Sequence, residues 1–444
     1  MAEQMKPSGI DWIGDIPESW KVKPLKYLAK CNQDVLLETT APDYSFRYVD
    51  IGSVTYERGI TEYQELRFED SPSRARRRVS VGDTIISTVR TYLKAIAIIS
   101  DSENVIVSTG FAVYTPDKAI YPQYLYYFCK SEGFVQEIDK NSYGIAYPAI
   151  NTDLLSRICI AYPCYEEQQV IADFLDKECA RIDSIAADLE KQIALLQQYK
   201  KSLITETVTK GLDKSVPMKD SGVEWIGEIP NTWDCKKMKY VISEPLQYGA
   251  NEAGDDYKED YPRYIRITDI TEENSLKDDG KLSLSPDIAK PYLLKDGDLL
   301  FARSGATVGK TFYYTSNYGT CAFAGYLIKA RFNQDKMNPK FVYYTTLGIG
   351  YENWKNTVFT QATIQNIGAD KYAQLYITVP SMKEQNEIIA YLDTQCKAID
   401  DVIHSKYQQL STIQEHKKSL IYEYVTGKKT SEGGAVRWPS KQGN

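Results

Sequence analysis

The chain has 444 residues, a formal net charge of −7, eight cysteines and only two histidines. The few histidines nearly exclude a zinc site and make histidine-based catalysis a poor interpretation, and the scattered cysteines indicate reduced thiols. No apolar run approaches the roughly 18 residues of a membrane helix, and the first residues lack the apolar core of a signal peptide, so the sequence predicts a cytoplasmic protein.

A tryptophan-rich passage near the start of the chain is repeated in its second half. "SGIDWIGDIPESW" at 8–20 aligns without a gap with "SGVEWIGEIPNTW" at 221–233. Shorter matches continue along both halves to the last third of each. Self-similarity over this distance predicts a tandem duplication, in which each half has a globular part followed by a helical part. The passage itself is most simply a packing motif that closes each globular part.

The repeat divides the chain into five predicted segments. Residues 1–162 and 214–379 are predicted as globular domains, residues 163–213 and 380–428 as long helical segments, and residues 429–444 as a flexible tail. Hydrophobic residues make up 43% of the chain, enough for each globular segment to enclose a core of its own.

The globular segments mix strand and helix signals. "DTIISTV" and "DLLFAR" follow Gly-Asp turns and have the apolar runs of strands. "YPQYLYYFCKSEGFVQEI" and "NPKFVYYTTLGIGYENW" predict helices with proline at the first helical position. The predicted fold class is therefore α/β (α+β) globular domains in tandem, joined by two long antiparallel helices with internal pseudo-two-fold symmetry.

Both helical segments carry apolar residues at alternating intervals of four and three, the pattern of a coiled-coil seam. The seam residues are Leu175, Ile182, Leu189, Leu196, Leu203, Leu392, Ile399, Ile413 and Leu420. Lys406 interrupts the second series where Leu189 stands in the first. Because neither helix can bury this stripe alone, we predict that the two helices pair with each other rather than with a partner protein.

A loop with basic and polar residues follows the Gly-Asp strand in each half. The candidate residues are Arg90, Tyr92 and Lys94 in "STVRTYLKA" and Arg303, Ser304, Thr307 and Lys310 in "FARSGATVGKT". The second loop resembles a phosphate-binding P-loop, but the spacing between its glycines is one residue too short, so nucleotide binding is a poor interpretation. Close approach to a polyanion fits both loops; ordinary exposed loops are the equal alternative.

The densest basic run is "SRARRRVS", which contains Arg74, Arg76, Arg77 and Arg78. A free-standing DNA binder usually has a basic balance, and this chain is acidic. DNA binding would therefore need local basic surfaces, or a partner that supplies much of the phosphate contact. We interpret the run as a local phosphate-contacting surface, with a solvated charged face as the alternative.

A third pair of segments mixes glycine or threonine with aromatic and amide side chains. "NSYGIAYPAIN" contains Tyr143 and Tyr147, and the aligned "VFTQATIQNIG" contains Gln361. Asparagine and glutamine can read adenine edges in the major groove, and aromatic rings can stack on bases. These residues are candidates for DNA contact, although a simple turn is the slightly favoured alternative.

Motifs of an enzyme are missing from the sequence. The Asn/Asp-Pro-Pro-Tyr/Phe motif of amino-methyltransferases does not occur, no GxGxxG follows a strand, and no convincing nuclease motif is present. A single-chain nuclease or methyltransferase, and a coiled-coil scaffold without a DNA role, remain as alternatives. Methyl-transfer and gel-shift assays of the purified chain would discriminate between them.

The order of globular domain, long helix, globular domain and long helix resembles the specificity subunit of type I DNA restriction-modification enzymes. The resemblance covers nearly the whole chain. It is carried by the paired tryptophan passages, by "FARSGATVGKT", by "YPAIN" with "IQNIG", and most specifically by "EEQQVIADFLDKECARID" with "KEQNEIIAYLDTQCKAID".

The resemblance implies two target recognition domains for double-stranded DNA, held apart by two spacer helices. It implies two modification subunits that dock on the spacers and carry S-adenosylmethionine for adenine methylation. A restriction subunit that uses ATP and Mg²⁺ is a further possible partner. The chain itself would be a reader and scaffold that binds no cofactor or metal, catalyses nothing, and recognises a bipartite, asymmetric target.

Overall fold

The computed structural model describes residues 4–271, 274–305, 307–360 and 366–429. The chain divides into two compact units. Residues up to Leu189 and from Gln408 onward form the first unit, and Glu190–Tyr407 form the second. Each unit therefore contains one globular domain and a part of each of two long helices.

Short strands make up most of the first globular domain. They are β1 (Met5–Pro7), β2 (Asp15–Pro17), β3 (Lys21–Pro24), β4 (Ala29–Cys31), β5 (Ser45–Val49), β6 (Val54–Thr55), β7 (Gly59–Ile60), β8 (Gln64–Arg67), β9 (Ala75–Arg78), β10 (Thr84–Ser87), β11 (Ile96–Ile98), β12 (Val105–Ser108), β13 (Phe111–Pro116) and β14 (Cys159–Tyr162). The helices are α1 (Pro122–Lys130), α2 (Glu132–Lys140) and α3 (Thr152–Leu155). The helix predicted for "YPQYLYYFCKSEGFVQEI" is thus two helices, because Ser131 between them has extended backbone angles.

Two four-stranded sheets form the centre of this domain, in the orders β11-β10-β13-β4 and β8-β5-β12-β9. The second sheet contains a parallel pair, β5 with β12. Strand β10 is buried on both faces, because successive side chains of a strand point to opposite sides. Ile86 packs among residues of α1 and α2, and Ile85 packs against the second sheet. This double burial explains the continuous apolar run after Gly82-Asp83.

The second globular domain follows the long helix α4 (Tyr165–Lys210) and precedes the long helix α9 (Met382–Val425). Its strands are β15 (Met218–Asp220), β16 (Glu228–Pro230), β17 (Asp234–Lys237), β18 (Gln247–Tyr248), β19 (Asp255–Asp256), β20 (Arg263–Ile265), β21 (Leu282–Ser283), β22 (Leu299–Ala302), β23 (Thr311–Tyr313), β24 (Cys321–Phe323), β25 (Leu327–Ala330) and β26 (Tyr376–Val379). Its helices are α5 (Pro286–Ala289), α6 (Pro339–Leu347), α7 (Ile349–Thr360) and α8 (Ala369–Ala373), and α9 spans Met382–Val425. Gly348 separates α6 from α7, as Ser131 separates α1 from α2.

The second domain repeats the sheet arrangement of the first. One sheet has the order β18-β25-β22-β23, and the other has the order β19-β21-β20-β24 with a parallel pair, β20 with β24. Both domains are therefore mixed α and β, as predicted. The chain contains two tandem domains of this kind.

The first tryptophan passage is a packing element that holds one end of each long helix in the first unit. Trp20 is fully buried, and its Nε1–H donates to Glu167 in the first turn of α4 at 3.2 Å. Tyr422, near the end of α9, donates its hydroxyl hydrogen to the carbonyl oxygen of Trp12 at 2.9 Å. The packing interpretation of the repeated passage fits these contacts.

The second passage makes the corresponding contacts in the second unit. Trp233 is buried, and its Nε1–H donates to Glu384 in the first turn of α9 at 3.0 Å. Gly211, directly after α4, has a φ of +73° and lies against the Trp233 ring, so close that an added Cβ would lie 3.1 Å from a ring carbon. Each passage thus contacts the start of one long helix and the end of the other.

The predicted seam residues are all buried or partly buried along the two long helices. Leu175, Ile182, Leu189, Leu392, Ile399 and Leu420 are buried, and Leu196, Leu203 and Ile413 are partly buried. Within the first unit, Lys417 of α9 contacts Asp183 of α4 at 2.6 Å. Within the second unit, Lys200 contacts Asp400 at 2.6 Å. Lys406, where the apolar series is interrupted, donates to Gln192 at 2.5 Å.

No helix in the described part of the chain is long and apolar enough to cross a membrane.

Candidate nucleic-acid interface

The basic loop of the first domain connects strands β10 and β11 and lies beside a second loop. The carbonyl oxygen of Thr88 accepts a hydrogen bond from the Ile150 N–H at 2.9 Å, and Val89 forms a β-bridge with Ala149. Tyr143 also pairs with Ala149. The structure therefore brings together two segments, 88–95 and 141–151, that the sequence marked separately as candidate DNA contacts.

This paired loop surface exposes aromatic and apolar side chains. Tyr92 is 54%, Tyr143 64% and Tyr147 69% exposed, and Ile145 is fully exposed. The guanidinium carbon of Arg90 lies 5.6 Å from the centre of the Tyr147 ring. Exposed aromatic rings combined with cations are the side chains that contact bases and phosphates in nucleic-acid binding proteins. The predicted residues Arg90, Tyr92, Tyr143 and Tyr147 thus share one surface.

Lys94 lies at the other end of the same loop. Its Nζ is 5.9 Å from the centre of the Tyr56 ring. Lys94, Tyr92 and Tyr56 line a cavity of about 370 Å³, which Lys418 of α9 also reaches. The basic loop is therefore cationic at both of its ends.

The basic loop of the second domain connects β22 and β23. The carbonyl oxygen of Arg303 accepts from the Ile367 N–H at 2.8 Å, and Ser304 forms a β-bridge with Asn366. The guanidinium of Arg303 lies 4.9 Å from the centre of the Tyr248 ring. The Tyr248 hydroxyl in turn accepts from the Ala369 N–H at 2.9 Å.

The remaining predicted residues of this loop are Thr307 and Lys310, which are partly buried. The Lys310 N–H donates to the carbonyl oxygen of Thr307 at 2.9 Å, closing a turn between two antiparallel strands. A P-loop instead runs from a strand into a helix, so the P-loop resemblance of "GATVGKT" does not extend to its structure. The predicted residue Gln361 lies outside the described residues.

Matching hydrogen bonds show which residues of the two loops correspond. The carbonyl oxygen of Thr88 accepts from the Ile150 N–H, and the carbonyl oxygen of Arg303 accepts in the same way from the Ile367 N–H. Arg90 therefore corresponds to Gly305 rather than to Arg303. The two domains have the same loop framework, but their cations stand at different positions in it.

Three of the four arginines in the run lie in strand β9, and their side chains do not all point to the same face of the sheet. Arg78 stands opposite Ile106 of β12 and Arg77 stands opposite Val107, so these two side chains point to opposite faces of the sheet. The register shifts at Arg76, whose guanidinium lies 4.8 Å from the centre of the Phe68 ring. Of the four, Arg74 and Arg78 are exposed, whereas Arg76 and Arg77 are partly buried.

Arg74 is the member of the run that lies next to the basic loop. Its carbonyl oxygen accepts from the Thr109 N–H at 2.7 Å, and the next residue, Gly110, accepts from the Thr88 N–H at 2.8 Å. Arg78 lies at the opposite end of β9, about 13 Å along the strand at 3.3 Å per residue. The structure thus joins Arg74, but not Arg78, to the loop surface.

The candidate arginines differ from other arginines in their ionic surroundings. Arg47, Arg266 and Arg331 form ion pairs with aspartates. Within the described ranges, no carboxylate pairs with the arginines at the candidate positions, namely Arg74, Arg76, Arg77, Arg78, Arg90 and Arg303. In an acidic chain, arginines without a carboxylate partner are available to bind phosphate oxygens.

Replacing Arg74 with alanine is expected to reduce the slope of log binding constant against log salt concentration by about 1, because each lost phosphate contact removes roughly 0.9 from the slope. Arg78→Ala, at the far end of β9, is the control and should change the slope less. All DNA sequences should be weakened alike. Fluorescence anisotropy over a salt series measures the slope. An unchanged slope would identify the run as a solvated charged face.

Three exposed or stacked residues at these surfaces were not singled out from the sequence. They are Ile145 at the tip of the first domain's second loop, Tyr248 beneath Arg303, and Tyr326, whose carbonyl oxygen accepts from the Arg303 N–H at 3.0 Å. Ile145 stands inside a segment that was marked. Tyr248 lies in β18 and Tyr326 in the turn before β25, and nothing in their local sequence indicates the contact with Arg303.

The described residues contain no group of three or more histidine, cysteine, aspartate or glutamate side chains that could hold a metal ion. The two loop surfaces offer cations, aromatic rings and amides. This set of groups suits binding of a polyanion rather than catalysis.

The family model described as "Type I restriction modification DNA specificity domain" matches the chain twice, at residues 17–195 and 250–429. Two curated relatives are specificity subunits. The putative type I restriction enzyme MjaX specificity subunit of Methanocaldococcus jannaschii is 25% identical over 440 residues, covering 94% of this chain and 95% of the relative. The type I restriction enzyme StySPI specificity subunit of Salmonella potsdam is 23% identical over 322 residues, covering 71% of this chain and 67% of the relative.

A solved structure has the same fold over most of its length. It comes from work on complex assembly and conformational transition of a type I R-M system, and it covers 92% of this chain and 98% of its own with a TM-score of 0.72 and 20% identity. The two family matches together span well over half of the sequence and include both basic loops. The chain therefore belongs to the type I restriction-modification DNA specificity family, and it is a non-catalytic DNA-recognition subunit of such a system.

Proposed function

We propose that each globular domain reads one half of a bipartite, asymmetric DNA target, with an unread gap between the halves. The observation that carries this proposal is the pair of equivalent loops. Their backbones share the same hydrogen bonds, but the exposed side chains around them differ: Tyr143 and Tyr147 lie at the first, and Tyr326 and Asn366 lie at the second. Base edges are read by particular side chains, so like frameworks with unlike side chains read unlike sequences.

The long helices have a spacing and docking role in this proposal. We assign residues 163–213 and 380–428 as an antiparallel coiled coil that separates recognition domains 1–162 and 214–379 with approximate two-fold symmetry. The equivalent ion pairs Asp183–Lys417 and Lys200–Asp400, one in each unit, support the duplication. The polar outer faces of the helices are available to other subunits.

The partners are modification subunits, of which we propose two per chain, each using S-adenosylmethionine to methylate adenine. A restriction subunit that uses ATP and Mg²⁺ can join the same complex. These subunits supply much of the phosphate contact, which explains how a chain of net charge −7 can belong to a DNA-binding complex. We place the complex in the cytoplasm, which suits the eight free cysteines.

A domain exchange tests the proposal. Replacing residues 1–162 with the equivalent domain of a relative is expected to change one half of the methylated target and to leave the other half and the gap unchanged. The measurement is a map of methylated adenines in DNA from cells that carry the exchanged chain with its modification subunits. The reciprocal exchange of residues 214–379 is the matched control, and it should change only the other half.

A strictly palindromic target for the native complex would contradict asymmetric reading, and so would a change in both halves after a single exchange. Incubation of the purified chain with labelled S-adenosylmethionine and DNA is a further control. Methyl transfer by the chain alone would contradict its non-catalytic role.

A further inference from the structure

Arg90 and Lys94 occupy backbone positions at which the second domain has glycine. The Leu93 N–H donates to the carbonyl oxygen of Arg90 at 2.9 Å, and the Val308 N–H donates to Gly305 at 3.1 Å, so the two turns correspond. φ is +53° at Arg90 and +49° at Lys94. In the same register the second loop has φ of +83° at Gly305 and +85° at Gly309. The two loops therefore have left-handed backbone conformations at the same two positions.

A positive φ is unfavourable for any residue with a Cβ, because the Cβ crowds the backbone carbonyl oxygen. Among the described residues, the other non-glycine positions with positive φ are Asn32, Asn104 and Asn274. Asparagine tolerates this conformation because its short side chain can form local hydrogen bonds. Arginine and lysine have no such compensation. The loop therefore holds two long cations where glycine would be less strained.

Both cations are available to a ligand. Arg90 and Lys94 are exposed, and neither forms an ion pair within the described ranges. The Arg90 guanidinium lies over the Tyr147 ring, and the Lys94 ammonium lies over the Tyr56 ring. A cation over a ring keeps its N–H groups free to donate to phosphate oxygens. At the equivalent Gly305, a Cβ would have no atom within 4 Å, so a side chain here projects into open space.

We propose that Arg90 and Lys94, whose backbone conformations are strained, bind phosphates of the DNA backbone and so hold the first recognition domain on the DNA. The second domain instead has the open Gly305 at the position of Arg90 and the buried Gly309 at the position of Lys94, and it places its cations at Arg303 and Lys310. The proposal rests on the proposed function, because its ligand is the duplex that the two domains read. At these two loop positions, the first domain therefore contributes more than the second domain to the salt dependence of DNA binding.

The test is the double substitution Arg90→Gly and Lys94→Gly in the full chain, bound to its modification subunits and to a labelled duplex that contains the mapped target. The salt slope is expected to fall by about 2, at roughly 0.9 for each lost phosphate contact. The preferred target sequence should not change. The midpoint of thermal unfolding should be unchanged or higher, because glycine relieves the positive φ. Lys118→Ala, at an exposed turn of the same domain, is the control that should leave the slope unchanged.

The reciprocal substitution Gly305→Arg places a cation at the equivalent open position of the second domain. It is expected to raise the salt slope by about 1. An unchanged slope in the double glycine variant would overturn the proposal, as would a lower unfolding midpoint. If the native complex binds no DNA at all, the proposed function fails instead, so the two failures are distinguishable.

Discussion

Replacing Arg331 with methionine is expected to lower the free energy of unfolding of the second domain by about 3–5 kcal/mol, the usual effect of removing one partner from a buried ion pair. Arg331 Nε donates to Asp298 Oδ1 at 2.8 Å, and Nη2 donates to Oδ2 at 2.6 Å. The Asp298 side chain is 1% exposed. Methionine retains the length of the side chain but cannot donate, so a buried carboxylate loses its cation. Guanidinium unfolding of the full chain, followed by circular dichroism, should show an earlier transition.

The first domain provides the matched control at Asp83. Thr115 stands there at the position of Arg331, so the buried Asp83 has no arginine partner. Burial raises the pKa of Asp83, although the Ser80 N–H partly offsets this. Because the folded-state pKa exceeds the unfolded value, ionised Asp83 opposes folding, and its stability contribution falls as pH rises through that interval. Asp83→Asn should therefore not destabilise the protein at neutral pH. Equal stability of Arg331→Met and the native chain would contradict the ion-pair argument.

Replacing Trp20 with alanine is expected to destabilise the first unit by about 3–5 kcal/mol, as large-to-small substitutions of buried aromatic residues do. The Trp20 ring is fully buried and packs edge-on against Tyr124 with ring centres 6.4 Å apart. The substitution removes this packing and also the hydrogen bond to Glu167 at the start of α4. Urea unfolding of the full chain measures the loss.

Two further substitutions separate packing from hydrogen bonding. Trp20→Phe removes the N–H and one ring of the indole but keeps an aromatic ring in the core, so its loss of stability should be clearly smaller than that of the alanine variant. Trp233→Ala makes the equivalent change in the second unit and should have a similar effect there. A loss below about 1 kcal/mol for Trp20→Ala would mean that the passage is not a main packing element.

The larger organisation of the molecule could be predicted from the sequence because it depends on repetition and periodicity. The tryptophan passages, the Gly-Asp strands and the seam residues each recur in both halves. The first long helical segment is predicted at 163–213, and α4 spans Tyr165–Lys210 within it. Periodicity does not define short breaks, however. Ser131 and Gly348 each divide a predicted helix in two, because a single extended residue suffices to end a helix.

The candidate site could be predicted only in part, because its geometry depends on contacts between distant segments. The two loops of each domain were recognised, but their pairing was not. The sequence predicted equivalent basic loops in the two domains, and the hydrogen bonds show that their cations stand at different positions, with Thr88 matching Arg303. The arginine run was expected to form one phosphate-contacting surface. The register shift at Arg76 and the alternation of strand side chains distribute it over two faces instead.

Each long helix is shared between two compact units, which divide after Leu189 in α4 and after Tyr407 in α9. Leu175, in the first part of α4, packs in the core of the first domain, and Val208 near its end packs in the core of the second. An isolated helix frays from its termini inward, but these helices are anchored at both ends by separately folded cores. Their weakest turns are therefore central. Local opening should begin near the division between the units, and each half of a helix should form and melt together with the globular domain that holds it.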